Sequence, residues 1–142
     1  MNILSMLLAI MAGIFTTIEA SINSQLGKYL TPSVATLHSL ITGMTFILIM
    51  NLLRGNLSRY TKIVTVSPVW WIGGLFGASI IYLSARSIPA LGISNTVILI
   101  LAGQLVSSMV VDVFFLQALI NVKKMFGMVL FLVGAIMFLQ EK

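Results

Sequence analysis

The chain has 142 residues, one domain in length, of which 59% are hydrophobic and only 8% charged, against about 25% charged in an ordinary soluble domain. That leaves too little polar surface to cover a fold in water, so a soluble globular protein is excluded and an all-α integral membrane protein is predicted. The net charge of +5 comes from eight Lys and Arg that lie mostly beside apolar runs, where they serve topology and lipid headgroups rather than nucleic acid.

A membrane span needs about 20 mostly apolar residues, and five stretches qualify. The first runs from about residue 3 to 26 and ends at Gly27-Lys28. It lacks a basic n-region and an A-x-A site and is longer than a signal-peptide core, so it is expected to be retained as a true helix. Within it Ala12, Thr16, Glu19, Asn23 and Gly27 share one face on a 3.6-residue period. Glu19 is one of only three acidic residues in the chain. A carboxylate in hydrocarbon costs several kcal/mol, on the order of 3 or more, and such acids ordinarily face a cavity and act there. The stripe therefore reads as the wall of a translocation site, with Glu19 holding substrate or protons. The alternative is that Glu19 is protonated and bonds a neighbouring helix as structural glue. Asn23 is open to the same two readings.

The second helix covers about 33–53 and aligns His38, Thr42 and Thr45. Threonines in membrane helices commonly bond back to their own carbonyls, and His38 near the helix start is a secondary site candidate for proton relay. Residues 54–67 form the one sizeable polar loop, with Arg54, Arg59 and Lys62. The third helix starts at Pro68 and reaches about 87, with Trp70 and Trp71 as an interfacial belt. Its Gly73, Gly74, Gly77 and Ala78 permit close helix approach. Tyr82 and Arg86 share a stripe, Tyr82 as a secondary site candidate and Arg86 snorkelling to the interface. Ile88-Pro89-Ala90-Leu91-Gly92 reads as a tight connection.

The fourth helix, about 93–116, carries a second polar stripe of Gln104, Ser108 and Asp112 at successive four-residue steps. Gln104 and Ser108 are candidate substrate contacts. Asp112, nearer the helix end, divides between site and anchor. Asn121 to Lys124 separate this helix from a fifth, about 125–139, whose Gly127 and Gly134 stand seven apart with no polar residue between. That glycine face suits a second helix, and the prediction is a dimer contact there. Glu141 and Lys142 end the sequence.

An odd number of spans places the two ends of the five-helix domain (1–142) on opposite sides of the membrane. With the N-terminus inside, the inner loops hold Arg54, Arg59, Lys62, Lys123 and Lys124, and the outer ones Lys28, Arg86 and Lys142. So small a bias permits both orientations. Five helices without an internal repeat make one half of an inverted-repeat transporter, completed most simply by a second copy inserted upside down. No enzyme motif is present, neither P-loop, H-E-x-x-H, G-x-S-x-G nor dinucleotide fingerprint. With no cysteine either, no catalytic role, metal or cofactor is expected.

Three features together resemble the drug/metabolite transporter superfamily: the mid-helix glutamate, the Ala85-Arg-Ser-Ile-Pro-Ala-Leu-Gly92 turn and the G-x-x-L-x-x-x-G-A pattern of the last helix. The run from Gln104 to Phe114 is similar to its five-helix inner-membrane branch, domain-of-unknown-function 606. That branch is related to the small multidrug resistance proteins. In those relatives two antiparallel subunits share a pocket, and their helix 1 glutamates bind protons or a hydrophobic cation. The resemblance implies Glu19 as coupling residue, Gly127 and Gly134 as dimer contact, and a multi-pass protein of a prokaryotic plasma (inner) membrane. The chain departs from the relatives in having five helices and no tryptophan in the helix after the tight turn. The expected function is a secondary transporter, an exporter of a small, partly hydrophobic metabolite or drug-like substrate. Its partners are that substrate, protons, the bilayer and a second copy or a paired homologous subunit. The competing expectations are a non-transporting membrane subunit and a carrier of a neutral or lipid-like substrate with Glu19 structural.

Overall fold

In the computed structural model, residues 2–114, 117 and 121–140 are described. Every regular element among them is helical. The helices are α1 (Ile3–Tyr29), α2 (Pro32–Leu53), α3 (Gly73–Leu91), α4 (Ile93–Phe114) and α5 (Val122–Gln140). Two 3-10 segments, Leu57–Thr65 and Pro68–Ile72, lie between α2 and α3. Five spans, the last four-fifths of the third being α-helix, are long and apolar enough to cross a membrane. The predicted helix ends at Phe115 and Leu116, and the terminal Glu141 and Lys142, lie outside the described residues.

Local chemistry explains where the elements begin and where their bounds differ from the predicted ones. Asn2 caps α1, its Oδ1 accepting from the Leu4 amide at 3.1 Å. Gly27 does not end α1: its backbone stays helical, and the Leu30 amide still reaches the Leu26 carbonyl at 3.0 Å. The break comes at Thr31, whose Oγ1 accepts from the Val34 amide at 3.3 Å, while Pro32 takes the first helical position of α2. The third span opens as 3-10 helix rather than α-helix at Pro68 and turns α-helical at Gly73.

The predicted tight connection at Ile88–Gly92 is also revised. Helix α3 runs through Pro89 to Leu91, because proline has a helical φ and near a helix end forfeits only one hydrogen bond. Gly92 alone makes the turn. Its φ of +80° is left-handed, and its carbonyl accepts the first bond of α4, from the Thr96 amide at 3.2 Å. Helix α5 starts three residues before the expected position, since Asn121 Oδ1 accepts from the Lys123 amide at 2.9 Å. Lys123 and Lys124 therefore lie in its first turn.

The chain forms two compact units, Met1–Ala90 and Leu91–Lys142. In the first α1 packs on α2, and in the second α4 packs on α5. Apart from Ile88 on α3, the most deeply buried side chains are small or polar: Ala20, Asn23 and Ser24 on α1, Ala35 and Thr36 on α2, Ser84 and Ala85 on α3, Thr96 on α4 and Ala135 on α5. Leu, Ile, Phe and Met cover the outside of the helices. This inverts a soluble core and fits a bilayer. Lipid tails are as apolar as leucine, so helices associate through close backbone approach at small residues.

Candidate functional site

Glu19 lies 16 residues into α1 and 10 from its end, about 15 Å from that end at 1.5 Å per residue. That is the depth of the middle of a hydrocarbon core about 30 Å thick. Ser39 on α2 donates its hydroxyl hydrogen to Glu19 Oε1 at 3.1 Å, and accepts at 3.2 Å from Asn23 Nδ2. Asn23 is buried and Ser39 half-buried. Carboxylate, hydroxyl and amide thus form one chain across the two helices. It runs along a groove of about 480 Å³ whose polar wall also includes His38 and Thr42, with Phe15, Ile18 and Ile22 among the apolar ones. Glu19 is exposed along this groove rather than enclosed by it.

The structure brings Glu19, Asn23 and His38 to one place. Thr16, on the same predicted stripe, is not among the lining residues; its hydroxyl donates to the Ala12 carbonyl at 2.9 Å. Thr42 and Thr45 likewise bond back, to the carbonyls of His38 and Ile41. Ser39 was missed by the sequence reading, although a signal existed. It precedes Thr42 and Gly43 by three and four residues, and so shares their helix face. Ser24, the residue after Asn23, is 1% exposed, and its Oγ has no hydrogen-bond partner among the described residues.

In the second unit Gln104 and Ser108 line a separate groove of about 340 Å³ with Leu101, Leu105 and Phe131. The Ser108 hydroxyl donates to the Leu105 carbonyl at 2.9 Å, so Gln104 is the polar side chain left to offer hydrogen bonds there. Asp112 is half-buried on α4 outside this groove. On α3, Arg86 Nη1 donates to Tyr82 Oη at 3.3 Å, and neither residue lines the Glu19 groove. Among the described residues no three His, Asp or Glu side chains are placed to hold a metal ion.

Residues 4–137 match the family described as "Putative inner membrane exporter, YdcZ". The chain belongs to that family. No curated protein and no solved structure was found to match it. Membership of the YdcZ family, together with five apolar helices of membrane length, identifies a multi-pass protein of the inner membrane.

The glycines of α5 are placed differently from the turn glycine. A Cβ built on Gly127 or Gly134 meets nothing within 4 Å among the described residues. The residues of α5 that lose exposure, Met128, Leu132, Ala135 and Leu139, recur at three- and four-residue steps and make one stripe. Gly127 and Gly134 lie roughly 110° and 130° away from its centre, at 100° per residue. The glycine face of this YdcZ-family chain is therefore open rather than spent on α4.

Proposed function

We propose that the chain is a secondary transporter that exports a small, partly hydrophobic metabolite or drug-like compound. Transport is coupled to protons through Glu19, by alternating access in an antiparallel homodimer. The observation that carries this reading is the Glu19–Ser39–Asn23 chain at mid-membrane depth beside an open, largely apolar groove. A carboxyl group there binds either a proton or a cationic or hydrogen-bonding substrate, and loading one excludes the other. Apolar walls take the rest of the substrate. Ser39 holds the carboxyl toward α2, and Asn23 fixes the orientation of the Ser39 hydroxyl.

Two helices wall the groove on one side only, so it does not enclose a substrate by itself. A second copy in the opposite orientation supplies the missing wall and makes the two access states equivalent by symmetry. The open Gly127–Gly134 face is suited to hold that copy. A paired homologous subunit could take its place. Gln104, with Ser108 beside it, contributes the hydrogen-bonding part of the substrate path.

One observation favours a second reading. The Ser39–Glu19 bond joins two helices, which is what a structural, permanently protonated glutamate would also do, in a non-transporting subunit or a carrier of neutral or lipid-like compounds. Carbodiimide labelling separates the two, because the reagent modifies protonated carboxyls in apolar surroundings. With a coupling Glu19, an added lipophilic cation protects the carboxyl from labelling, and Glu19→Gln abolishes labelling while the cross-linked dimer survives. Labelling that the cation leaves unchanged, or a dimer that dissociates in Glu19→Gln, selects the structural reading.

A further inference from the structure

The segment after α2 has a chemistry that neither the Glu19 groove nor the export reading uses. Helix α2 ends in a hydrogen-bonded reversal. The Gly55 amide reaches the Leu52 carbonyl at 3.1 Å and the Asn56 amide reaches the Asn51 carbonyl at 3.0 Å, with Gly55 at φ +64°. This pair of bonds around a left-handed glycine sends the following chain back along the helix it has just left. The following chain is the nine-residue 3-10 helix Leu57–Thr65. At three residues per turn, Leu57, Tyr60 and Ile63 form one ridge and Arg59 and Lys62 another. The segment is thus amphipathic, apolar on one side and basic on the next.

Between this segment and α2 lies a groove of about 710 Å³, larger than the one at Glu19. Met44, Ile47 and Leu48 of α2 make its deep wall, and Leu57, Tyr60 and Arg59 its outer one. Met44 is nine residues from the end of α2, so the groove descends about 14 Å from the headgroup level into hydrocarbon. Arg59 is the cation that lines it, Arg54 and Lys62 lie five and three residues away along the chain, and no acidic residue occurs between positions 20 and 111. A slot that is apolar at acyl-chain depth and cationic at headgroup depth complements one kind of molecule in both halves.

The geometry points to a binding site for a single anionic phospholipid, with its phosphate on Arg59 and one acyl chain along Met44, Ile47 and Leu48. Guanidinium and phosphate form charge-assisted, often bidentate bonds, and juxtamembrane basic residues attract anionic lipids. The site depends only on the first unit and is independent of whether Glu19 carries protons.

The test is native mass spectrometry of the delipidated full chain, titrated with phosphatidylglycerol or with phosphatidylcholine of the same acyl chains. Phosphatidylglycerol should be retained about five- to tenfold more strongly. Arg59→Gln should remove that preference while phosphatidylcholine, whose choline offsets the charge of the same phosphate, is still retained, which also shows that the groove still forms. Leu48→Trp, which fills the acyl slot, should weaken both lipids. Lys124→Gln, an equal loss of charge at the start of α5, should change nothing. Equal retention of the two lipids by the wild type would overturn the site. So would a loss in Lys124→Gln matching that in Arg59→Gln, which would mean diffuse attraction, or full retention in Leu48→Trp, which would mean headgroup contact alone.

Discussion

Ser39 accepts from one side chain of α1 and donates to another, so it carries information that neither Glu19 nor Asn23 carries alone. Ser39→Ala should lower transport about tenfold, the scale of one lost hydrogen bond to a charged group, and Ser39→Thr, which keeps the hydroxyl, should restore most of it. Equal activity in the alanine variant would make the bond incidental. His38 lines the same groove; His38→Asn should leave proton-coupled transport in place if Glu19 is the coupling group. Ser24 makes a different kind of prediction. Its hydroxyl is buried without a partner among the described residues, and leaving such a group unsatisfied costs about 1–3 kcal/mol. Ser24→Ala should be as stable as the wild type or more so by thermal unfolding in detergent. A clear loss of stability would reveal a partner for that hydroxyl in the assembled protein.

At the level of helices, the chain's glycines divide by conformation. Gly92 sits at φ +80° and ends one helix while starting the next, so Gly92→Ala should cost about 1–2 kcal/mol from the left-handed backbone. Gly74, helical and in open space, should tolerate alanine or gain about 0.5–1 kcal/mol; thermal unfolding compares the two. Gly134→Leu should act on association instead. A side chain placed where two backbones meet costs about 1–3 kcal/mol, twice over in a two-fold dimer. The expected result is a shift from dimer to monomer on cross-linking, with Met128→Leu nearly silent. The same division explains what the sequence could reveal. Five apolar runs announce five helices because hydrophobicity and length are properties of each run alone. Caps and turns were harder. Gly27 and Gly92 look equally disruptive as letters, yet only Gly92 takes a left-handed φ, because Thr31-Pro32 already supplies the earlier break. Glu19 stood out by its charge, whereas Ser39 did not, since a serine in a membrane helix most often bonds back to its own turn. Ser39 differs only because α1 places a carboxylate opposite it. That partnership is a property of the pair of helices and of neither sequence segment alone.

For the whole molecule, the distribution of Lys and Arg sets orientation, and here the bias is small: if all five helices span, Arg54, Arg59, Lys62, Lys123 and Lys124 fall on one side and Lys28, Arg86 and Lys142 on the other. If both orientations occur, a reporter fused at the C-terminus should give comparable signals on the two sides of the membrane. Two lysines added beside Gly92 should then bias insertion toward a cytoplasmic α3–α4 turn. A strictly one-sided reporter would contradict the antiparallel homodimer and require a separate partner subunit. Exchange of protons for substrate at Glu19 can be read in proteoliposomes loaded with a pH indicator. Labelled small metabolites and lipophilic cations are added outside one at a time, and uptake is followed by filtration. For any compound that enters, the wild-type lumen should turn alkaline as protons leave in exchange, and Glu19→Gln should show no such change. Uptake without luminal alkalinisation, or the same alkalinisation in Glu19→Gln, would contradict it.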